Sequence, residues 1–198
     1  AIGQVDIAKL SSVKDVVIIG DGYENWLAKS SPEYLFAPLA ETDTFALVYT
    51  AGTSGKPKGV MLSHRSRVLT FFGMASEYGC YTPDDRTLAV APLFHGAGFS
   101  FAIAALFFGG YCEIGPKFDA ATTLNLLKES KITNVFMVPT HFQAIFDLSE
   151  KQQTKLKPSH LKTIISNASA LPQVLKRLAV DYFGEGILHE TYGSTEAG

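Results

Sequence analysis

Apolar residues along this chain come in short blocks closed by glycine, proline or polar clusters, alternating with longer stretches of helical period. Near the start, Ile2-Gly3-Gln4-Val5-Asp6-Ile7-Ala8-Lys9-Leu10 reads as a helix. Val13 to Ile19 is predicted as a strand ended by Gly20-Asp21-Gly22, Tyr23 to Lys29 as a short helix, and Ser31-Pro32 to Pro38 as a linker. Thr44 to Tyr49 is apolar, aromatic and β-branched, the mark of a buried strand. Ser63 is the expected N-cap of a helix from Arg65 to Tyr78, with Val68, Leu69, Phe72 and Ala75 as its apolar face. A strand follows over Thr87 to Ala91, then a buried helix to Phe108, broken by Gly109-Gly110. Strands are predicted again at Tyr111 to Ile114, Asn134 to Val138, Thr163 to Ser166 and Ile187 to Glu190. Between them stand helices opened by Asp119, Pro139 and Pro172; Ser149 to Ser159, polar and lysine-rich, reads as a surface loop.

Strands alternating with helices imply an α/β protein of βαβ construction, with mostly parallel sheets flanked by helices. Ligands of such sheets collect beyond the carboxyl ends of the strands. The loops after Tyr49, Ala91, Ser166 and Glu190 are therefore expected in one cleft.

Composition narrows the partners. The 198 residues are 46% hydrophobic and 18% charged, with a net charge of −2, so nothing argues for a nucleic-acid or polybasic membrane partner. The longest apolar run, Gly96 to Tyr111, is shorter than the roughly 20 residues a membrane helix needs. Two widely separated cysteines, Cys80 and Cys112, fit reduced core thiols and a cytoplasmic protein. The chain opens without Met, inside a helical pattern, and reads as a piece of a longer protein.

The richest chemistry lies in Tyr49-Thr50-Ala51-Gly52-Thr53-Ser54-Gly55-Lys56-Pro57-Lys58-Gly59-Val60. Glycines let backbone N–H groups approach an anion, hydroxyls donate to it, and lysine supplies charge; a polyphosphate is the natural guest. The spacing is not the Walker pattern, which excludes a Walker-type phosphohydrolase. Near the end, Glu190-Thr191-Tyr192-Gly193-Ser194-Thr195-Glu196 offers an aromatic face, a glycine bend, two hydroxyls and a carboxylate.

These two motifs, with Ser63-His64 after the first, resemble the signatures of the adenylate-forming (AMP-binding) enzymes, on the acyl-CoA synthetase side of that superfamily. Ala51 and Ser54 depart from the usual Ser and Thr. The resemblance implies that Thr50, Ala51, Gly52, Thr53, Ser54, Gly55 and Lys58 hold the ATP phosphates. It implies that Tyr192 stacks on adenine beside Glu190, Thr191 and Gly193, that Thr195 contacts the α-phosphate, and that Glu196 coordinates Mg2+. Ser166-Asn167-Ala168-Ser169-Ala170-Leu171-Pro172 matches the family's adenine-side segment, with Ala168 and Ser169 as contacts and Asn167 where glycine is usual. Asn tolerates left-handed geometry, so the bend is expected to survive there. Pro92-Leu93-Phe94-His95-Gly96-Ala97-Gly98 resembles the segment lining the acyl site, with His95 near the substrate carboxylate and Gly96, Ala97 and Phe99 along the acyl group. Lys117 aligns with a basic position near the CoA channel.

What this implies is ATP-dependent activation of a fatty or aryl carboxylic acid to an acyl-adenylate, followed by transfer to CoA. The alternatives are an amino-acid-activating adenylation domain or a non-catalytic nucleotide-binding relative. The expected organisation is a phosphate-loop lobe over about 1–85 and an acyl and adenine lobe over 86–198, with the family's C-terminal domain and its catalytic lysine absent. The isolated chain is expected not to turn over, and a homodimer through surface meant for the missing half is one expected assembly.

Overall fold

The computed structural model describes residues 11–33, 36–51, 55–115 and 117–197. The helix expected over 2–10 and the loop residues Gly52, Thr53 and Ser54 lie outside them. Contacts divide the chain into two units, 1–39 and 40–198.

In the first unit the one regular element among the described residues is helix α1 (Tyr23–Leu27). The strand expected over Val13 to Ile19 does not form, and its apolar side chains are exposed, Ile19 at 85%. A strand needs a ladder partner for its backbone groups, and β-branched composition supplies none.

The second unit opens with an antiparallel ribbon, β1 (Thr44–Thr50) against β2 (Lys58–Ser63), with Thr50 opposite Lys58. The rest is built on β3 (Arg86–Ala89), β4 (Tyr111–Ile114), β5 (Asn134–Met137), β6 (Thr163–Ser166) and β7 (Leu188–Glu190). They form one sheet in the order β4-β3-β5-β6-β7, parallel at every pairing. Among the described residues six α-helices accompany the strands, α2 (His64–Tyr78), α3 (Gly96–Phe107), α4 (Ala120–Glu129), α5 (Pro139–Phe146), α6 (Glu150–Leu156) and α7 (Gln173–Phe183), with a 3-10 turn at Thr195–Ala197.

Alternation along the strands makes two cores. Leu88, Val135, Met137 and Ile164 face Leu124 and Leu127 of α4, Phe142 and Ile145 of α5, and Leu175 of α7. Phe136 and Ile165 face the other way, onto Phe71 and Met74 of α2 and Phe101, Ala104 and Ala105 of α3. Burial on both faces explains why Asn134–Met137 and Thr163–Ser166 are buried throughout rather than alternately. Each such Ile, Leu or Phe contributes about 1.5–3 kcal/mol.

Caps set the helix starts as expected. Ser63 Oγ accepts from Ser66 N at 3.2 Å and Asp119 Oδ1 from Thr122 N at 2.8 Å. The loop expected over 149–159 instead contains α6, whose N-cap Ser149 accepts from Gln152 N at 3.4 Å while Gln152 Oε1 accepts from Ser149 N at 3.3 Å.

The amino ends of the strands are pinned by a buried carboxylate. Asp85 accepts from Thr82 N and Thr82 Oγ1, each at 2.9 Å, and from Thr133 Oγ1 at 2.9 Å. Burial raises its pKa, but these donors and Lys162 more than offset it, so the group stays below the usual carboxylate range. Cys80 and Cys112 are free. No helix among the described residues is long and apolar enough to cross a membrane.

Candidate functional site

The strand order reverses at the β3–β5 pair: β3 leads through α3 to β4 on one side, and β5 leads through α5 and α6 to β6 on the other. A crevice opens at such a point, beyond the carboxyl ends of the strands. Here it is a cavity of about 590 Å³. Its walls are the loop after β3 with the start of α3 (Ala91, Pro92, His95 to Gly98, Ser100, Phe101) and the end of β5 (Phe136, Val138). The loop after β6 (Asn167, Ala168), the segment Thr191 to Thr195, and Leu62 with one face of α2 complete them.

Three of the four loops expected together therefore do meet. The fourth, after β1, belongs to the separate ribbon, yet its base reaches the same place. Thr50 Oγ1 donates to Glu196 Oε1 at 3.4 Å, and a Cβ on Gly96 would lie 3.5 Å from Thr195 Oγ1 and 3.7 Å from Val48 Cγ1. Lys58, exposed, stands across the ribbon from Thr50. Thr50, Lys58, Thr195 and Glu196 thus gather at the mouth beside Gly96, with Ala51 and Gly55 flanking the undescribed loop residues.

His95 is the N-cap residue of α3, its ring against Phe94 at 5.0 Å and its carbonyl accepting from Phe99 N at 2.9 Å. Tyr192 is fully exposed at 104%, its ring faces open. Ala97, Ala168, Thr191 and Gly193 also line the cavity. Asn167 Nδ2 donates to Thr191 Oγ1 at 2.5 Å, tying the loops after β6 and β7 together. The left-handed residue of that bend is Ala168, at φ 79°, one position beyond the expected Asn167. Asn167 instead spends its side chain on Thr191 and on the Ala168 N–H.

The remaining expected residues stand elsewhere. Glu190 turns away from the cavity to pair with Lys176 and to accept from Leu171 N at 2.9 Å. Lys176, then the Leu171 N–H, hold its carboxyl below the usual range. Phe99 packs on Phe45, 6.0 Å between centroids, and does not line the cavity. Ser169 and Lys117 are exposed and outside the lining.

The wall that sequence reasoning missed is α2. Arg67, Thr70, Met74 and Tyr78, on one helical face, line the cavity. Of the apolar face expected for α2, Leu69 (61% exposed) and Phe72 (56%) point outward, while Ala75 packs against the core beside the buried Phe71 and Met74. The signal was an arginine at the spacing of a buried stripe, which reads as a break in it. Arg67 is only 4% exposed. Nη1 donates to Ser100 Oγ at 3.0 Å, and Nη2 to Thr70 Oγ1 at 3.3 Å and Ser66 Oγ at 3.4 Å. Nε is buried without a partner. Burial lowers the guanidinium pKa. Among the described residues of the lining Arg67 is the one fixed charge, and none of them is a carboxylate.

Among the described residues no three His, Cys, Asp or Glu side chains cluster to hold a metal. Glu196 offers a single exposed carboxylate, which suits a hard cation that draws its other oxygens from phosphate and water.

Residues 4–198 match the family model described as AMP-binding enzyme. The chain is 30% identical over 158 residues to a chloroplastic/peroxisomal 2-succinylbenzoate–CoA ligase of Arabidopsis thaliana, covering 80% of this chain and 28% of that protein. It is 33% identical over 171 residues to a medium/long-chain-fatty-acid–CoA ligase of Mycobacterium tuberculosis, covering 86% of this chain and 29% of the relative. The N-terminal domain of FACL13 from Mycobacterium tuberculosis superposes with a TM-score of 0.79 at 24% identity, over 89% of this chain and 43% of that one, a likeness of fold. The chain thus spans less than a third of the length of those two ligases.

Proposed function

This chain belongs to the AMP-binding enzyme family, and from that premise we propose that the protein carrying it activates a carboxylic acid with ATP and passes the acyl group to CoA. A carboxylate oxygen attacks the α-phosphorus, the bond to the bridging β-phosphate oxygen breaks, and pyrophosphate leaves. The CoA sulfur then attacks the acyl carbon; AMP departs and the thiol proton goes to solvent. The observation that carries this reading is the meeting of Thr50, Gly96, Thr195 and Glu196 at the mouth of the cavity. Two anions must approach one another there, so the protein's task is positioning and charge neutralisation.

In this reading Lys58 and the hydroxyls of the loop after β1 hold the β- and γ-phosphates, and Thr195 donates to the α-phosphate. Tyr192, with its open ring, takes the adenine. His95 sits beside the acid's carboxylate, and Gly96 and Ala97 leave room for its chain. Glu196 would hold Mg2+, which supplies positive charge to the phosphates when bound. Lys117 is assigned to the approach of CoA, and Ser169 and Glu190 to shaping the adenine side. The phosphate-loop lobe would comprise about 1–85 and the acyl lobe 86–198, in a cytoplasmic enzyme. An amino acid is the weaker substrate class, because its ammonium group calls for a carboxylate and the described residues of the lining include none.

The test is acid-dependent exchange of pyrophosphate into ATP by the full-length protein, over a panel of acids with and without an α-amino group. Exchange with simple acids, reduced at least ~100-fold by Lys58→Ala or Glu196→Ala, is expected. Exchange with amino acids alone would overturn the choice of substrate. Silence across the panel with ATP still bound would make the protein a non-catalytic nucleotide binder.

A further inference from the structure

The guanidinium of Arg67 is buried, lines the cavity and has no carboxylate partner. None of the ion pairs among the described residues includes it. Its acceptors are three hydroxyl groups, which hold the fork in place without cancelling its charge, and one of its donor nitrogens, Nε, has no acceptor. A charge taken out of water with only neutral partners is held at a cost that a helix-pinning role does not require, since methionine or leucine would fill the same space. The surrounding wall is largely apolar, with Leu62, Met74, Phe101 and Phe136. In such surroundings an arriving anion is attracted more strongly than at a wet surface.

Position gives the arrangement a direction. Arg67 is tied to Ser100 on α3, four residues beyond Gly96 at the mouth, a separation of about 6 Å along the helix axis. One end of the cavity therefore has the hydroxyl and carboxylate group of Thr50, Thr195 and Glu196, and a point farther in has a lone cation.

We propose that Arg67 receives a second carboxylate on the substrate, so that the acid taken here is a short dicarboxylic acid, activated at one end and anchored at the other. This rests on the acid-activating reading and names its substrate class. The planar fork suits a carboxylate, and the hydroxyls of Ser66, Thr70 and Ser100 that now hold it also orient it. A plain fatty acid of the same length would leave the cation uncompensated beside a hydrocarbon chain.

The experiment compares glutarate and adipate with their own monomethyl esters, by calorimetric titration of the full-length protein and of Arg67→Met and Arg67→Lys. The diacids are expected to bind about tenfold or more tighter than the esters in the wild type. In Arg67→Met they are expected to fall to the level of the esters, and in Arg67→Lys to keep part of the preference. Equal affinities for diacid and ester, or no measurable binding of the diacid, overturn the proposal, and so does a preference that survives Arg67→Met. The wild-type comparison needs no variant, so a failure of Arg67→Met to fold leaves it decisive. Pyrophosphate exchange separates the two readings. Exchange with an ester as good as with its diacid keeps the acid-activating reading and overturns this one. A diacid preference in binding without exchange keeps the Arg67 site and overturns the reaction.

Discussion

Replacing Gly98 by alanine tests how tightly α3 is set against the loop after β3. Gly98 is buried two residues inside α3, and an added Cβ would lie 2.4 Å from the Pro92 carbonyl oxygen and 3.1 Å from that of Ala91. The Pro92 oxygen cannot swing aside without loss, because it accepts from His95 N at 3.1 Å. To reach even 3.0 Å, the lower bound of real contacts, helix and loop must part by 3.0 − 2.4 = 0.6 Å. Overpacking of this kind costs about 1–3 kcal/mol, set against about 1 kcal/mol that alanine gains over glycine in a helix. At the upper end, which backbone contact on both sides favours, the net loss is about 2 kcal/mol, lowering Tm by about 4–8 °C. Gly73, exposed in α2 with nothing within 4 Å of an added Cβ, is the internal control. Gly73→Ala should gain about 1 kcal/mol and raise Tm by about 2–4 °C. Scanning calorimetry on both variants reads the difference. Equal stabilisation by the two would refute the reasoning, for it would mean that α3 has slack against Pro92.

Acid should weaken the fold through His141, which stacks on Phe118 at 3.9 Å and accepts from Val138 N at 3.4 Å. Burial pushes its pKa down to about 4 from an unfolded value of about 6.5, so stability is full above 6.5 and drains as pH falls toward 4. Denaturant titrations of His141→Phe should be flatter across that window than those of the wild type, and parallel curves would contradict the assignment. Glu190→Gln should cost about 1 kcal/mol at neutral pH by loosening the 167–171 turn. Because Glu190 has a depressed pKa, that difference should vanish as pH falls below the ordinary glutamate range near 4.3. Ala168→Gly removes a left-handed alanine, so stability should rise by the strain of about 1–2 kcal/mol less the flexibility lost, about 0.4–1 kcal/mol, and the thermal midpoint with it. A lower midpoint would show that the bend is not strained.

Much of the α/β order was legible because buried parallel strands such as Val135-Phe136-Met137 and Ile164-Ile165 are nearly all apolar, and proline, glycine and caps mark their ends. The parallel sheet and its cleft followed from that alternation. The second strand of the ribbon was not legible: Lys58 and Gly59 open it with residues that avoid strands, and its pairing is dictated by β1 across the loop. Helix α6 was hidden by a surface of Lys and Gln, although Ser149 and Gln152 form its capping box in the sequence itself. At the site, the signature residues Thr50, Thr195 and Glu196 were found by pattern and are gathered in space. Phe99 and Glu190 were placed by adjacency in sequence, but helix rotation turns Phe99 onto Phe45 and Lys176 draws Glu190 aside. Arg67 belongs to no motif; its one trace in the sequence is its spacing from Phe71 and Met74, and its burial shows only in the fold.

The central pairing of the sheet has a kinetic meaning. Thr87 on β3 meets Asn134 on β5, its Oγ1 donating to Oδ1 at 2.6 Å across 47 residues of sequence. Everything between, α3, β4 and α4, must be looped out before that contact closes, and loop closure over such a span is slow. The crevice exists only once β3 and β5 lie side by side. Under the proposed function, a nucleotide finds its site on the assembled sheet and stabilises that state by mass action. Bound ATP should slow unfolding and leave the refolding rate unchanged, and stopped-flow fluorescence in both directions would show which arm moves.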